Sequence, residues 1–143
     1  MIRTRPATTT DASRLAELAA QWGYPIGAVA LPATLARLLA RLDQSIVVAT
    51  DETDAIAGWI HVGEQDLLES GRRAEILGLI VDEQARGQGV GRVLVAEAER
   101  WAASRGLTEM SVRSNILRAE AHPFYEAVGY RRIKTQHMYK KSL

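Results

Sequence analysis

The sequence contains no cysteine among its 143 residues. This absence excludes a disulfide framework, thiolate catalysis, cysteine-ligated zinc and an acyl-enzyme formed on a thiol. Long apolar runs are also missing, since the longest, residues 76–81, is about a third of the roughly 20 residues that a membrane-spanning helix needs. The first six residues lack the apolar region of a signal peptide. We therefore expect a cytoplasmic protein with no membrane partner.

An excess of one charge is missing as well, because 18 lysines and arginines offset 17 aspartates and glutamates to leave +1. A balance this close to zero predicts no general attraction to nucleic acid, so any anion site must be local. The chain is 47% hydrophobic and 24% charged, as globular proteins are. Its length predicts a single domain over residues 1–143, large enough to bury a core without disulfides.

The order of the periodic segments predicts an α/β fold. Apolar residues at helical spacing predict four helices, within residues 15–22, 31–42, 93–101 and 121–128. Short apolar segments predict strands at residues 2–5, 45–50, 55–62, 74–82 and 107–113, with one or two more within 130–139. The polar residues 63–73 predict a loop. We therefore expect a mixed sheet flanked by about four helices.

Three glycines at alternate positions, Gly87, Gly89 and Gly91, stand between the most apolar strand and the third helix. Glycine has no Cβ, so successive backbone N–H groups can converge on one point. The N-terminus of the following helix adds a partial positive charge there. This pattern predicts a phosphate site, with Arg86 and Arg92 adding charge beside it. The alternative is a tight turn that binds nothing.

The spacing of this loop excludes two common nucleotide sites. The P-loop requires Gly-Lys-Ser/Thr, but Gly91 is followed by Arg92 and Val93. The dinucleotide-binding fingerprint requires glycine where Arg92 stands. The anion must therefore belong to another ligand class.

Two stretches of the sequence resemble motifs of the GNAT superfamily of acetyl-CoA-dependent N-acetyltransferases. The family pattern Gln/Arg-x-x-Gly-x-Gly/Ala is matched by Arg86, Gly89 and Gly91. Residues 121–130 are similar to the family's Ala-x-x-Phe/Leu-Tyr-x-x-x-Gly-Phe/Tyr helix and strand, and the motifs occur in the family's order. The resemblance implies a GNAT-like fold whose mostly antiparallel sheet splays open between strands 74–82 and 107–113.

The same resemblance implies acetyl-CoA as co-substrate and no metal. Its pyrophosphate would bind the glycine loop, and its pantetheine arm would pair with the main chain of Leu79 and Val81. A backbone N–H near Leu79 would polarise the thioester carbonyl. The implied cofactor-binding residues are Leu79, Ile80, Val81, Arg86, Gly87, Gln88, Gly89, Val90, Gly91, Arg92, Asn115, Arg118 and His122.

One departure from the family pattern leaves a choice open. Many members carry an asparagine seven residues before the tyrosine, where this chain has Arg118. Asn115 lies three residues further upstream. Either Asn115 or Arg118 is then the cofactor contact, and His122 is a cofactor neighbour or a local cap.

The reaction implied by the resemblance is direct attack of a primary amine on the thioester within a ternary complex. An amine with a pKa near ~10.4 must lose a proton, and the departing thiolate must gain one. Tyr125 aligns with the family tyrosine and is the candidate acid, the alternative being a core aromatic. Glu75 is the candidate base, acting through water. His61 and water itself are the alternative bases.

The acceptor is the least defined part of the function. Family members choose it with residues equivalent to 22–31 and 63–73, where Glu64, Asp66 and Glu69 hint at a cationic amine. Arg72 and Arg73 oppose that hint. A small metabolite, an antibiotic, a peptide N-terminus and a protein lysine all stay open, and the resemblance allows a homodimer. A non-catalytic acyl-CoA-binding or sensing module is the alternative function.

Overall fold

The computed structural model describes residues 1–24, 26–27 and 30–143. Two compact units divide it, residues 1–112 and 113–143. The first unit holds all five strands, β1 (Arg3–Pro6), β2 (Gln44–Thr50), β3 (Ile56–Leu67), β4 (Gly71–Val81) and β5 (Met110–Val112), together with the helices α1 (Ala12–Ala20), α2 (Leu31–Leu39) and α3 (Val90–Ser104). The second unit holds α4 (Ala121–Ala127).

The strands form one sheet in the order β1-β2-β3-β4-β5. The first four are antiparallel, whereas β5 runs parallel to β4. A mixed sheet with four helices confirms the predicted fold class. Over the described residues, none of the helices is both long enough and apolar enough to cross a membrane.

The neighbouring residues Gly58 and Trp59 show which helices cover each face of the sheet. A Cβ at Gly58 would lie 2.8 Å from the Ile80 carbonyl oxygen and 3.0 Å from Val90 Cγ1, so only glycine lets α3 begin this close to the sheet. The Trp59 indole N–H donates to the Leu15 carbonyl of α1 (3.3 Å). Since successive strand residues point to opposite faces, α3 covers one face, and α1 covers the other.

Helix α2 joins α1 on its face, where aliphatic side chains form a core. This core contains Ala7, Ala12, Leu15, Leu18, Leu35, Ile46, Val48, Ile56 and Ile80. The helical residues of this core come from the apolar faces predicted for the first two helices. Only Leu42 departs from the prediction, because α2 ends at Leu39 and Leu42 is exposed.

Two strand predictions were wrong. Residues 63–73 are not a loop: β3 and β4 continue through them as a hairpin that pairs up to Leu67↔Gly71. Their polar side chains suggested a loop, but this end of the hairpin is half-buried or exposed and tolerates them. Gly71, with φ +70°, supplies the left-handed residue at the turn.

The one or two strands expected within residues 130–139 are also absent from the described chain, where α4 is the last regular element. Residues 131–143 are exposed throughout. An extended segment becomes a strand only when a neighbouring strand supplies hydrogen bonds. No such pairing involves these residues. Sequence alternation could not show that the partner was missing.

Candidate active site

The upper part of β4, residues 77–81, has a main-chain edge without a strand beside it. β5 pairs with β4 only at Ala74, Glu75 and Ile76, so the pairing stops before this edge begins. We call residues 77–81 the open edge. Its presence confirms the predicted splay between the two strands.

A β-bulge between β3 and β4 lies at the start of the open edge. His61 pairs with Gly78, but Val62 pairs with Ile76, so Leu77 is an extra residue in β4. Below the bulge, the Ala74 N–H donates towards β5, to Glu109 (3.0 Å). Above the bulge, the residues of β4 whose main-chain N–H and C=O groups point away from β3 are shifted by one position.

This shift decides which main-chain groups of the open edge can bind a ligand. The Asp82 N–H donates to the Ala57 carbonyl of β3 (2.8 Å), so residues 80 and 82 face β3. Leu79 and Val81 therefore direct their main-chain groups to the open side. Ile80 has its main chain towards β3 and its side chain in the core, which leaves it without a group for a ligand.

A short 3-10 turn, Glu83–Ala85, connects this edge to the glycine loop, which leads into α3. Gly87 (φ +74°) and Gly89 (φ +85°) adopt the left-handed conformation, and a Cβ on either would meet no atom within 4 Å. Gly89 is the N-cap of α3, whereas Val90 and Gly91 are buried in its first turn. Left-handed glycines in open space at the N-terminus of a long helix suit a bound anion.

Positive side chains stand beside this loop. Arg86, Gln88 and Arg92 are exposed. The Arg86 guanidinium carbon lies 3.8 Å from the centroid of the Trp22 ring, as in a cation–π contact. The backbone geometry and the arginines thus both fit a pyrophosphate.

Glu75 is buried where the pairing of β4 and β5 ends. Only 8% of its surface is exposed, and it lies opposite Ser111 of β5. The Ser111 hydroxyl donates to Glu75 Oε1 (3.2 Å). The predicted base is thus a buried carboxylate next to the open edge, not an exposed strand-end acid.

His61 lies two residues from Trp59 on β3 and so shares the α1–α2 face of the sheet. Its Nε2 lies 2.7 Å from Gln44 Oε1. Burial, together with the charge of Arg41, lowers the pKa of His61 below its ordinary value. A neutral imidazole can accept a proton, so His61 stays the alternative candidate for the base.

The acidic residues predicted to attract a cationic acceptor are partly engaged elsewhere. Arg105 Nη2 lies 2.8 Å from Glu64 Oε2, and Arg72 pairs with the other carboxylate oxygen. These arginines lower the pKa of Glu64. Glu64 is therefore a neutralised part of the β3–β4 hairpin, and it cannot serve as a free anionic contact.

The second predicted acceptor segment, residues 22–31, is described only in part. Pro25, Ala28 and Val29 lie outside the described residues. Trp22, at its start, donates its indole N–H to the Val81 carbonyl (3.0 Å).

The second unit contains the remaining predicted site residues, held by short-range contacts. Asn115 Oδ1 accepts the Leu117 N–H (2.9 Å), and the Asn115 carbonyl lies 3.1 Å from His122 Nε2. This contact fits the local cap, which is one of the two alternatives predicted for His122. Arg118 is half-buried in the same turn, and its N–H donates to the Asn115 carbonyl (2.9 Å).

Tyr125 lies on α4 as the family motif predicts. Its ring packs edge-on against Phe124, with centroids 5.2 Å apart, and against Tyr130, with centroids 6.1 Å apart. The Tyr130 N–H donates to the Tyr125 carbonyl (2.9 Å), and Gly129 adopts φ +99° as the helix ends.

Comparison with known proteins decides the family. The family model described as "Acetyltransferase (GNAT) family" matches residues 12–130, which is most of the chain. The chain belongs to the GNAT family. This assignment confirms the resemblance seen in the two motifs.

One curated relative matches part of this GNAT chain. Over 74 residues it is 34% identical to the aminoglycoside N(6')-acetyltransferase type 1 of Klebsiella aerogenes, a match that covers 52% of this chain and 49% of the relative. The chain thus aligns with about half the length of that curated relative.

Solved structures share the fold over the whole chain. The aminoglycoside antibiotic 6'-N-acetyltransferase AAC(6')-Ih of Acinetobacter baumannii superposes with a TM-score of 0.86 at 18% identity, covering 100% of this chain and 99% of that one. AAC(6')-Iy, solved with the bisubstrate analogue CoA-S-monomethyl-acetylneamine, gives 0.88 at 18% identity, with 100% and 99% coverage.

The contacts of Trp22 with the cofactor loop are the part of the site that sequence reasoning missed. The sequence predicts Trp22 only as part of an apolar helix face and of the acceptor segment. Its partner Val81 is 59 positions away in the sequence. No local pattern marks such a contact, so only the fold reveals it.

Proposed function

We propose that this GNAT protein transfers the acetyl group of acetyl-CoA directly to a primary amine within a ternary complex. One observation carries the proposal: the open edge of β4 leads, through a short 3-10 turn at Glu83–Ala85, into a left-handed glycine loop at the start of α3. An extended ligand with amides at one end and a pyrophosphate at the other fits this arrangement.

The main chain would bind this ligand in two places. The N–H groups around Gly87 and Gly89, with the positive end of α3, would hold the pyrophosphate. The Leu79 and Val81 main-chain groups would bind the pantetheine amides as an added strand does. The Val81 carbonyl already accepts the Trp22 N–H, so its N–H is the more available group.

The acetyl thioester supplies an activated carbonyl carbon when acetyl-CoA is bound. The N–H of Leu79 would donate to the thioester oxygen as its negative charge develops. The amine nitrogen forms a bond to the carbonyl carbon, and the carbon–sulfur bond breaks. No cysteine is present to carry the acetyl group first, which supports direct transfer.

Two proton transfers complete the reaction. We propose Glu75 as the group that takes the amine proton through water, because it is a buried carboxylate beside the open edge. Tyr125 would give its phenolic proton to the departing thiolate. Asn115 and Arg118 are both candidates for the additional cofactor contact, and Asn115 Oδ1 accepts a hydrogen bond in its own turn.

For the acceptor, the relatives suggest where to look first. The Klebsiella relative is named for acetylation of aminoglycosides. We propose a small molecule with an unhindered primary amine, and aminoglycosides bearing a 6'-amine are the first compounds to test.

The direct test is CoA release from acetyl-CoA, followed with a thiol reagent, in the presence of a panel of primary amines. The panel should include aminoglycosides, polyamines, amino acids and a lysine peptide. We expect amine-dependent thiol release that stops when Gly89 is replaced by Glu. Binding of acetyl-CoA with no turnover on any amine would favour the acyl-CoA-binding module instead.

A further inference from the structure

Trp22 joins the end of α1 to the cofactor loop through two different parts of its ring. The indole N–H donates to the Val81 carbonyl at the end of β4 (3.0 Å). The ring face carries the Arg86 guanidinium, whose carbon lies 3.8 Å from the ring centroid. A single side chain outside the family motifs thus contacts both the strand and the arginine that begins the glycine loop.

Contacts from the first turn of α1 and from the residue after its end also reach the turn before the loop. Arg14 Nη2 donates to Asp82 Oδ2 (2.7 Å), and Gln21 Nε2 donates to Asp82 Oδ1 (3.2 Å). Gln21 Oε1 accepts the Glu83 N–H (3.0 Å). Trp22 therefore stands on a base that is already held against the turn, so its ring has a defined position.

Arg86 differs from most arginines of the first unit in its partners. Arg5, Arg14, Arg41, Arg72, Arg100 and Arg105 all pair with carboxylates. Within the described part of the chain, no hydrogen bond or ion pair is found for Arg86, and the Trp22 ring is its contact. Stacking uses the face of a guanidinium and leaves its N–H donors available in the plane. Arg86 is thus held in place with its donors free.

This arrangement has a consequence for anion binding. A flexible arginine loses much rotational freedom when it binds a phosphate, and that loss weakens affinity. An arginine that is restrained before the ligand arrives loses less. Arg86 directly precedes Gly87, the first of the left-handed glycines of this loop.

We propose that Trp22 is a positioning residue for the CoA pyrophosphate, acting through Arg86. The indole face holds the guanidinium at the start of the glycine loop, so that its N–H donors meet the pyrophosphate. This inference rests on the proposed function, since it requires that CoA bind at the loop. The hydrogen bond to Val81 has a separate, structural role.

The test is a double-mutant cycle on CoA affinity, measured by calorimetry, with the variants Trp22→Leu, Trp22→Phe, Arg86→Gln and the Trp22→Leu/Arg86→Gln pair. Trp101→Leu is the matched control, because Arg105 stacks on Trp101 (5.2 Å) at the other end of α3. We expect Trp22→Leu to weaken CoA binding about fivefold, which is the upper end for a cation–π contact at an exposed site. Trp22→Phe keeps an aromatic face without the N–H and should stay within about threefold.

The decisive comparison is Trp22→Leu in the Arg86→Gln background, where it should change the dissociation constant by less than about twofold. In steady-state kinetics, the KM for acetyl-CoA should rise while kcat stays near the unsubstituted value. Equal losses in Trp22→Phe and Trp22→Leu would assign the effect to the N–H, and additive losses in the double variant would remove Arg86 from it. Either result overturns the proposal.

Two further outcomes also bear on the proposal. If Trp22→Leu does not fold, Arg86→Lys repeats the test with Trp22 intact, because lysine keeps the charge but lacks the flat guanidinium. Unchanged affinity in Arg86→Lys would overturn the proposal. Failure of the unsubstituted protein to bind CoA would overturn the proposed function as well, whereas normal CoA binding with an indifferent Trp22 overturns this inference alone.

Discussion

The two regions that carry family motifs are built in different ways. The strand, loop and helix of residues 79–92 are held by side chains far away in the sequence, such as Arg14, 68 positions from Asp82. Within residues 113–130, the turn before the helix contains short-range contacts, such as that of His122, seven positions from Asn115. The first region therefore depends on distant residues of its unit, and the turn of the second region is stabilised in part by local hydrogen bonds.

This difference predicts different responses to substitution. Changes at or near the glycine loop should alter cofactor affinity, because long-range contacts fix the backbone there. Changes on α4 should alter the chemistry of a single side chain and leave affinity nearly intact. The following predictions test that contrast.

The largest effect is expected for Gly89→Glu. A residue other than glycine at φ +85° strains the backbone by about 1–2 kcal/mol, and a carboxylate there would repel the pyrophosphate. We expect CoA affinity to fall at least ~100-fold, since both the geometry and the charge of the anion site are lost. Isothermal titration with CoA measures this loss.

Gly106→Glu is the matched control for that variant. Gly106 also has positive φ (+76°) and open space around it, but it lies after the C-terminus of α3. It should lose a similar amount of stability and keep its CoA affinity. Equal loss of CoA binding in both variants would mean that strain, not the anion site, explains the result.

Glu75→Gln should reduce turnover strongly without weakening the cofactor. Loss of a general base lowers kcat by about 100-fold, while the KM for acetyl-CoA should stay within about twofold because Glu75 lies below the open edge. Glu64→Gln is the control, since Glu64 is engaged by Arg72 and Arg105. A normal kcat in Glu75→Gln would pass the role of base to His61 or to water.

Tyr125→Phe should lower kcat by a smaller factor, about tenfold, because a thiolate with a conjugate-acid pKa near ~8.5 can leave without full protonation. The aromatic packing against Phe124 and Tyr130 should survive, so the melting temperature should hardly change. Tyr139→Phe, at an exposed tyrosine, is the control. An unchanged kcat would leave Tyr125 with a packing role only.

The smallest effect concerns pH and stability. The pKa of His61 is lowered in the folded protein, so the unfolded chain binds its proton first as pH falls through about 6.5. Its effect on stability is therefore absent above that pH and becomes destabilising below it. Urea unfolding between about pH 7 and pH 5 should show a slope of at most ~1.4 kcal/mol per pH unit from this group.

The variant His61→Gln should flatten the pH dependence in that interval. Carboxylates with lowered pKa values, such as Asp11 and Glu64, act at lower pH and should not interfere. An identical slope in the variant would show that burial of His61 is not the cause.

The sequence predicted the parts of the fold that local pattern determines. Apolar spacing located the four helices of the described residues, and the glycines at 87, 89 and 129 marked a left-handed loop and a helix end that the structure contains. The splay was implied by the family resemblance, but the bulge at Leu77 beside it leaves no mark in the sequence. The other features of the fold depend on pairing between strands that are distant in the sequence.

The errors have the same physical origin. The polar segment 63–73 forms a hairpin in which opposite charges such as Glu64 and Arg72 pair, and residues 130–139 pair with no strand of the described chain. Trp22 and Asp82 became part of the candidate site only through contacts across the fold. Local sequence cannot encode which distant surface a side chain will meet.

The central claim is that the open edge of β4 and the glycine loop together bind acetyl-CoA. The most direct measurement is a thermal-shift titration of the purified protein with acetyl-CoA, with NAD and ATP as controls. Binding at 100 times Kd stabilises the native state by about 2.7 kcal/mol, a clear rise in Tm. We expect acetyl-CoA to raise the Tm, and NAD and ATP to leave it nearly unchanged. No rise with acetyl-CoA at millimolar concentration would contradict the account, because the glycine loop would then be a turn alone.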